Sequence, residues 1–222
     1  MGGIKLTEKT SKYGNLNIYK IAVTGKMRTG KSTVVELLGE EMQTLVGNDT
    51  VVIEAGFGDM LKYFAHDIFL VKILEEKPRE LYQEFGQAMR AVHNKIYGNE
   101  DVWVNLLDMY LETRYKEISS SLPEGQKQNI VVLVTDLRQP NEKAWCERKG
   151  FKIVKVVAPL EMRVQRMKEN GDNFTEESIH HETETHVDNF ETEYTITNDG
   201  TIEDLQSQVK FSALEIYSDL LE

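Results

Sequence analysis

Gly25-Lys26-Met27-Arg28-Thr29-Gly30-Lys31-Ser32 joins two apolar segments of different period. Before it, Ile18 to Thr24 is a short apolar, β-branched run of the kind buried in a sheet. After it, Thr33 to Leu45 sets Val34, Val35, Leu37, Leu38, Met42 and Leu45 on one face of a helix. The order is strand, loop, helix. The loop matches G-x-x-x-x-G-K-[ST], in which glycines let backbone N–H groups wrap a phosphate while the helix N-terminus adds partial positive charge.

This context predicts a nucleotide site formed by Gly25, Met27, Arg28, Thr29, Gly30, Lys31, Ser32 and Thr33. ATP and Mg2+ are the expected cofactors. Lys31 reaches the β- and γ-phosphates as a catalytic charge, and the Ser32 hydroxyl ligates magnesium.

Outward from the loop the pattern repeats. Val51 to Ala55 is a second buried strand, followed by Gly56, Gly58 and a helical pattern resuming at Met60. Lys77 to Tyr115 is charged and helical in period, and Ile130 to Thr135 restores a strand. Phe151 to Val157 is a further strand, Glu161 to Glu169 a short helix, and Asn170 to Glu193 a polar stretch suited to a lid. Tyr194 to Thr197 is the last strand, Asn198-Asp199-Gly200 a turn, and Thr201 to Asp204 a capping-box start to a helix reaching Leu221. Alternating strands and helices predict an α/β fold with a doubly wound, mostly parallel five-stranded sheet. One P-loop domain spans 1–222, with a leader at 1–16, a helical acceptor-binding insertion at about 57–128 and a lid region at about 160–193.

At 222 residues and 40% hydrophobic content the chain can bury a substantial core. Its net charge of −11 argues against a surface for nucleic-acid polymers or anionic membranes. Cys146 is the only cysteine, which excludes an internal disulfide and suits a reducing cytoplasm. No stretch is apolar and long enough to span a bilayer. Whether the protein is a monomer or a homodimer stays open.

A phosphate loop serves kinases, GTPases and motor ATPases alike. A GTPase would carry Asp-x-x-Gly and Asn-Lys-x-Asp, and neither occurs here. A small-molecule kinase needs a second cationic site, so that an anionic acceptor can approach the γ-phosphate against mutual repulsion. Arg79, Arg90 and Arg138 are the candidates at strand ends and on the insertion, with Arg163 and Arg166 on the helix before the lid.

The stretches Phe57-Gly-Asp59-Met-Leu-Lys62, Arg79 with Gln83-Glu-Phe-Gly86 and Arg90, Val102-Trp103-Val104, and Thr135-Asp136-Leu-Arg138-Gln-Pro-Asn141-Glu142 occur in this order. Together they resemble the phage-type deoxynucleoside monophosphate kinases, from about Ile18 to Thr201. The resemblance implies a dNMP acceptor, phosphorylated by ATP to the diphosphate, and a host cytoplasm if the chain is phage-encoded. It also implies that Asp136 orients magnesium or the attacking phosphate, while Arg138 grips the acceptor. The resemblance weakens at the lid, which is histidine-rich and acidic, and there Arg163 and Arg166 are expected as the lid arginines on the charge argument alone. Asp59, Lys62, Arg79, Gln83, Arg90 and Trp103 complete the implied acceptor site. Asp59 and Lys62 also read as a surface ion pair, and Trp103 also reads as core.

Related P-loop kinases of the dephospho-CoA or phosphomevalonate type share the first half of this motif set. From another class, a non-catalytic ATP-binding regulatory module would use the same loop. In the lid region His180-His181-Glu-Thr-Glu-Thr-His186 is read as a solvated polar loop rather than a zinc site.

Overall fold

The computed structural model describes residues 12–69, 79–171 and 186–222, with the side chains of Arg79 and Glu80 outside that description. Five strands form one sheet: β1 (Leu16–Gly25), β2 (Val51–Ala55), β3 (Gln128–Leu137), β4 (Lys152–Val157) and β5 (Tyr194–Thr197). Their order is β2-β3-β1-β4-β5, and every pairing is parallel. The expectation of a mostly parallel sheet thus becomes an entirely parallel one. Consecutive parallel strands need crossovers, and helices supply them.

Those helices are α1 (Lys31–Val46), α2 (Phe57–Phe69), α3 (Arg79–Tyr97), α4 (Val102–Ser121), α5 (Pro140–Arg148), α6 (Leu160–Glu169) and α7 (Ile202–Leu221). The sheet is buried on both faces, which is why its strands read as continuous apolar runs. On one face Ala22, Ile130, Val132 and Val134 join residues of α2, α4 and α5, including Phe57, Leu107 and Trp145. On the other, Ile21, Val23, Val131 and Leu133 pack with Val34, Leu38 and Met42 of α1 and with Leu205, Val209 and Ile216 of α7. The alternation along β3 is the period of two that divides these cores.

Three sequence expectations change. Residues 12–16 are not a loose leader: Leu16 is buried in β1, Tyr13 Oη donates to Glu112 Oε2 at 3.0 Å, and Asn15 bonds Ser119 on α4. The long helical pattern breaks at Gly98 into α3 and α4, because Gly98 takes a φ of 73°. Residues 140–148, to which the sequence pattern assigns no element, form the helix α5, with proline at its start where a missing N–H costs nothing.

All five strands run the same way, so their carboxyl ends share one edge of the sheet. That edge carries Gly25, Ala55, Leu137, Val157 and Thr197, and the segments leaving it are the loop before α1, the start of α2, the β3–α5 turn, the start of α6 and the turn at Asn198. Ligands of open α/β sheets bind in this crevice.

Candidate active site

The loop from Gly25 to Lys31 leaves β1, whose end is fixed to its neighbour by Thr24 Oγ1 donating to Leu137 O at 2.8 Å. Gly30, the residue before α1, has a φ of 94°, and a Cβ there would come within 2.1 Å of Asn198 Nδ2. A Cβ at Gly25 would lie 2.5 Å from Val156 O. Arg28 adopts a left-handed φ of 61°, a conformation that non-glycine residues hold only where their surroundings enforce it. Lys31 Nζ donates to Gly25 O and Lys26 O, each at 2.7 Å, and so lies across the loop's concavity. Ser32 is exposed and Thr33 half-buried on the first turn of α1.

Asp136, next to the end of β3, aims its carboxylate at the start of α2. Oδ1 accepts from Phe57 N at 2.8 Å and Oδ2 from Gly58 N at 2.7 Å. This is an anion at a helix N-terminus, held by charge-assisted bonds. A Cβ on Gly56 or Gly58 would lie 2.8 Å from that carboxylate, which explains the glycines in Gly56-Phe-Gly58. Burial pushes the Asp136 pKa up and the Asp59 charge adds to this, while the two N–H donors and Arg138 oppose it. Asp59, on the first turn of α2, pairs with Lys62 Nζ at 2.8 Å, both side chains half exposed.

A second carboxylate stands behind the first. Glu142 of α5 is 4% exposed, and its Oε2 accepts from the N–H groups of Arg138 and Gln139 at 2.9 Å each. Its Oε1 is 3.6 Å from Arg90 Nη2, so a residue of α3 is tied to the turn that carries Arg138. Asn141 Nδ2 donates to Asp101 Oδ1 at 2.9 Å and links the same turn to the start of α4.

Burial pushes the Glu142 carboxyl from 4.5 up to about 7, with the Asp136 charge adding and the Arg138 and Gln139 N–H groups and Arg90 opposing. The folded protein thus favours the neutral acid more than the unfolded chain does. Its contribution to stability is full below the unfolded value and is lost as pH rises through about 7. By linkage the loss approaches about 3 kcal/mol. Compared with wild type by denaturant unfolding, Glu142→Gln should gain relative stability between about pH 5 and about pH 8. A flat difference across that range would mean that the carboxyl is already charged at its acid end.

The expected lid arginines bond the phosphate loop itself. Arg163 is 4% exposed and its Nε donates to Met27 O at 2.8 Å, and Arg166 Nη1 donates to Arg28 O at 3.3 Å. Both hold the phosphate loop from α6, because a guanidinium buried against the loop satisfies backbone carbonyls that water does not reach. Trp103 takes its core role: it is 2% exposed, Nε1 donates to Gly86 O at 3.4 Å, and its ring lies 5.8 Å from that of Phe85. Gln83 is exposed on α3, and Arg79 opens α3 with its side chain outside the described residues. His180 and His181 lie outside them too, and among the described residues no three His, Cys, Asp or Glu side chains are grouped to hold a metal.

Sequence reading assigned no role to Glu142, Asn198 or the Lys26–Asp188 ion pair at 2.5 Å. For Glu142 the signal was present, a glutamate at the third position of a helix that opens with proline. The other two depend on which chain segments meet, and local sequence does not carry that.

The geometry is that of a P-loop protein, with a phosphate cradle at the carboxyl edge of a parallel sheet and acidic and basic side chains gathered around the end of the neighbouring strand. The chain belongs to the AAA_18 family, the AAA domain, whose model matches residues 21–194. It is 28% identical to the dephospho-CoA kinase of Corynebacterium glutamicum over 210 residues, covering 90% of this chain and 98% of that one. Among solved structures it is similar to TT1252 from Thermus thermophilus (22% identity, TM-score 0.43, 89% of this chain and 96% of that one). A gluconokinase from Sinorhizobium meliloti is also similar (13% identity, TM-score 0.43, 90% and 94%).

Proposed function

We propose that this protein is a kinase that moves the γ-phosphoryl group of ATP onto a deoxynucleoside monophosphate. The observation that carries the proposal is the cationic pair Arg90 and Arg138 on the β3 side of the loop. Glu142 holds the Arg90 guanidinium and, through the backbone N–H of Arg138, the turn that carries the second arginine. Arginines at the carboxyl edge of the sheet, on the side of the strand next to the phosphate loop's own, are what an anionic acceptor requires, because donor and acceptor phosphates repel until their charge is neutralised.

The cradle fits ATP. Gly25 and Gly30 let the loop pass close to Val156 and Asn198, and Lys31 lies across its concavity. Ser32 and Asp136 offer oxygen donors of the hard type that Mg2+ takes, and with so few protein ligands the ion would be held largely by the nucleotide's own phosphates. When bound, magnesium neutralises charge on the β- and γ-oxygens. Lys31 then stabilises the charge that develops as the phosphoryl group departs, Arg138 and Arg90 hold the acceptor anion in line, and Asp136 orients the attacking oxygen.

A second reading takes its support from the relative that is a dephospho-CoA kinase, similar over nearly the whole chain. Here the acceptor is a small molecule other than a dNMP, either dephospho-CoA, which attacks through a hydroxyl, or phosphomevalonate, which attacks through its phosphate. The experiment that separates the two is kcat/KM at fixed Mg-ATP for dTMP, dGMP, dCMP and dAMP against GMP, dephospho-CoA and phosphomevalonate. The expected result is that the deoxynucleotides lead. If dephospho-CoA or phosphomevalonate outruns every one of them, the dNMP assignment fails and the second reading stands. No turnover with any acceptor would leave only a nucleotide-binding module. With the preferred acceptor in hand, Arg138→Ala should raise its KM about 10-fold with little change in the KM for ATP, since a charge-assisted bond to one anion is removed. An equal loss on the ATP side would put Arg138 with the donor.

A further inference from the structure

Three consecutive carbonyls of the phosphate loop each receive a donor from behind. Met27 O accepts from Arg163 Nε at 2.8 Å, Arg28 O from Arg166 Nη1 at 3.3 Å, and Thr29 O from Asn198 Nδ2 at 2.9 Å. Two of the three donors are also linked to each other. Arg166 Nη2 reaches Asn198 O at 3.2 Å and Asn198 Oδ1 at 3.3 Å, and Asn198 N donates to Val157 O at 2.8 Å at the end of β4. Asn198 is only 9% exposed, so its amide is committed to these partners rather than to solvent.

In a trans peptide the C=O of one residue and the N–H of the next point in opposite directions. Fixing the carbonyls of Met27 and Thr29 against α6 and the β5–α7 turn therefore aims the N–H groups of Arg28 and Gly30 the other way, into the cradle. The Thr29 N–H makes a longer bond, 3.4 Å, to Lys26 O. The left-handed Arg28 lies between the two pinned peptides, which is where enforcement of a strained conformation is needed. Asn198 also faces Gly30 so closely that no side chain could stand there.

We propose that Asn198 is a positioning residue for the phosphate loop: with Arg163 and Arg166 it forms a clamp that sets the direction of the loop's N–H groups and thereby the affinity for a polyphosphate chain. The clamp rests on the reading of this loop as the donor phosphate site, and it does not depend on the acceptor. It gives the turn after β5 a part in phosphate recognition, through contact with the loop's outer side and none with the ligand.

The test is Asn198→Ala in the full chain, with affinities for pyrophosphate and for ATP measured calorimetrically in magnesium buffer, alongside the melting temperature. Pyrophosphate is the informative probe because it has no base or sugar. Both ligands should bind the variant about 10-fold more weakly, by a similar factor, since one buried hydrogen bond that orients the loop is lost. Arg166→Lys provides the second variant: it keeps the charge but cannot bridge Arg28 O and Asn198 together, and it should weaken pyrophosphate and ATP in the same proportion. Loss of stability alone lowers the melting temperature and the active fraction but leaves the dissociation constants of the folded protein as they were, so unchanged constants overturn the clamp. Weaker ATP with unchanged pyrophosphate also overturns it, placing Asn198 at the base instead. If wild type binds neither ligand, the donor-site reading itself falls, and the clamp with it.

Discussion

Lys31→Ala is expected to lower kcat by about 100- to 1,000-fold while the protein stays folded. Lys31 is the first residue of α1 and is not among the residues that helix buries, Val34, Val35, Leu38, Gly39 and Met42. Its ammonium bonds two loop carbonyls, Gly25 O and Lys26 O, so it already sits where a phosphate chain would enter. Removing it deletes a fixed positive charge at the position where negative charge builds up on the leaving oxygen, and water is a poor substitute because it must reorganise at the moment of reaction. The check is single-turnover and steady-state kinetics beside far-ultraviolet circular dichroism. A kcat within tenfold of wild type, with the spectrum unchanged, would show that the loop is not the donor site.

What the sequence reveals follows from how each feature is encoded. The strands are legible because burial on both faces demands unbroken β-branched runs, and Val51–Ala55 and Tyr194–Thr197 are observed with the limits their apolar runs suggest. The start of α7 is legible because the Thr201–Asp204 capping box is a local device, seen as Asp204 N donating to Thr201 Oγ1 and Thr201 N to Asp204 Oδ2. The phosphate loop belongs to the same class, since its function is written into eight adjacent residues.

The clamp is different. Arg163 and Arg166, three apart on a charged helix, give the same local signal as solvated surface arginines, and only the crossing of α6 over the loop turns them inward. Asn198 in Asn-Asp-Gly has the composition of any turn, and its task arises because β5 is separated from β1 by β4 alone, so that its end comes to the loop. Strand order is set by long-range pairing, and no window of sequence contains it. For α5 the apolar pattern was too sparse to announce a helix, with only Glu142, Trp145 and Cys146 buried in nine residues.

Asp136→Asn is expected to reduce kcat/KM about 100-fold, and the pH profile of that loss distinguishes two kinds of acceptor. The carboxylate spans the N-terminus of α2 through Phe57 N and Gly58 N, with one oxygen on each. An asparagine can accept from only one of them and turns an N–H toward the other, so the start of α2 shifts and an anionic oxygen donor is lost from the cleft. If the acceptor is a monophosphate, its attacking oxygen is already ionised and Asp136 is needed for orientation, not for proton removal. Activity in wild type should then rise with the second ionisation of the acceptor phosphate, near about pH 6, and Asp136→Asn should lower the whole curve while keeping that acid limb. An acceptor that attacks through a hydroxyl needs a base, and the upward push on the Asp136 pKa from burial suits that task as well. In that case the wild-type acid limb belongs to Asp136 and disappears in the variant. The measurement is kcat/KM against pH for both proteins with the best acceptor from the panel. Disappearance of the acid limb in Asp136→Asn would overturn the dNMP assignment, and its persistence at reduced height would support a phosphate acceptor held by Arg138 and Arg90.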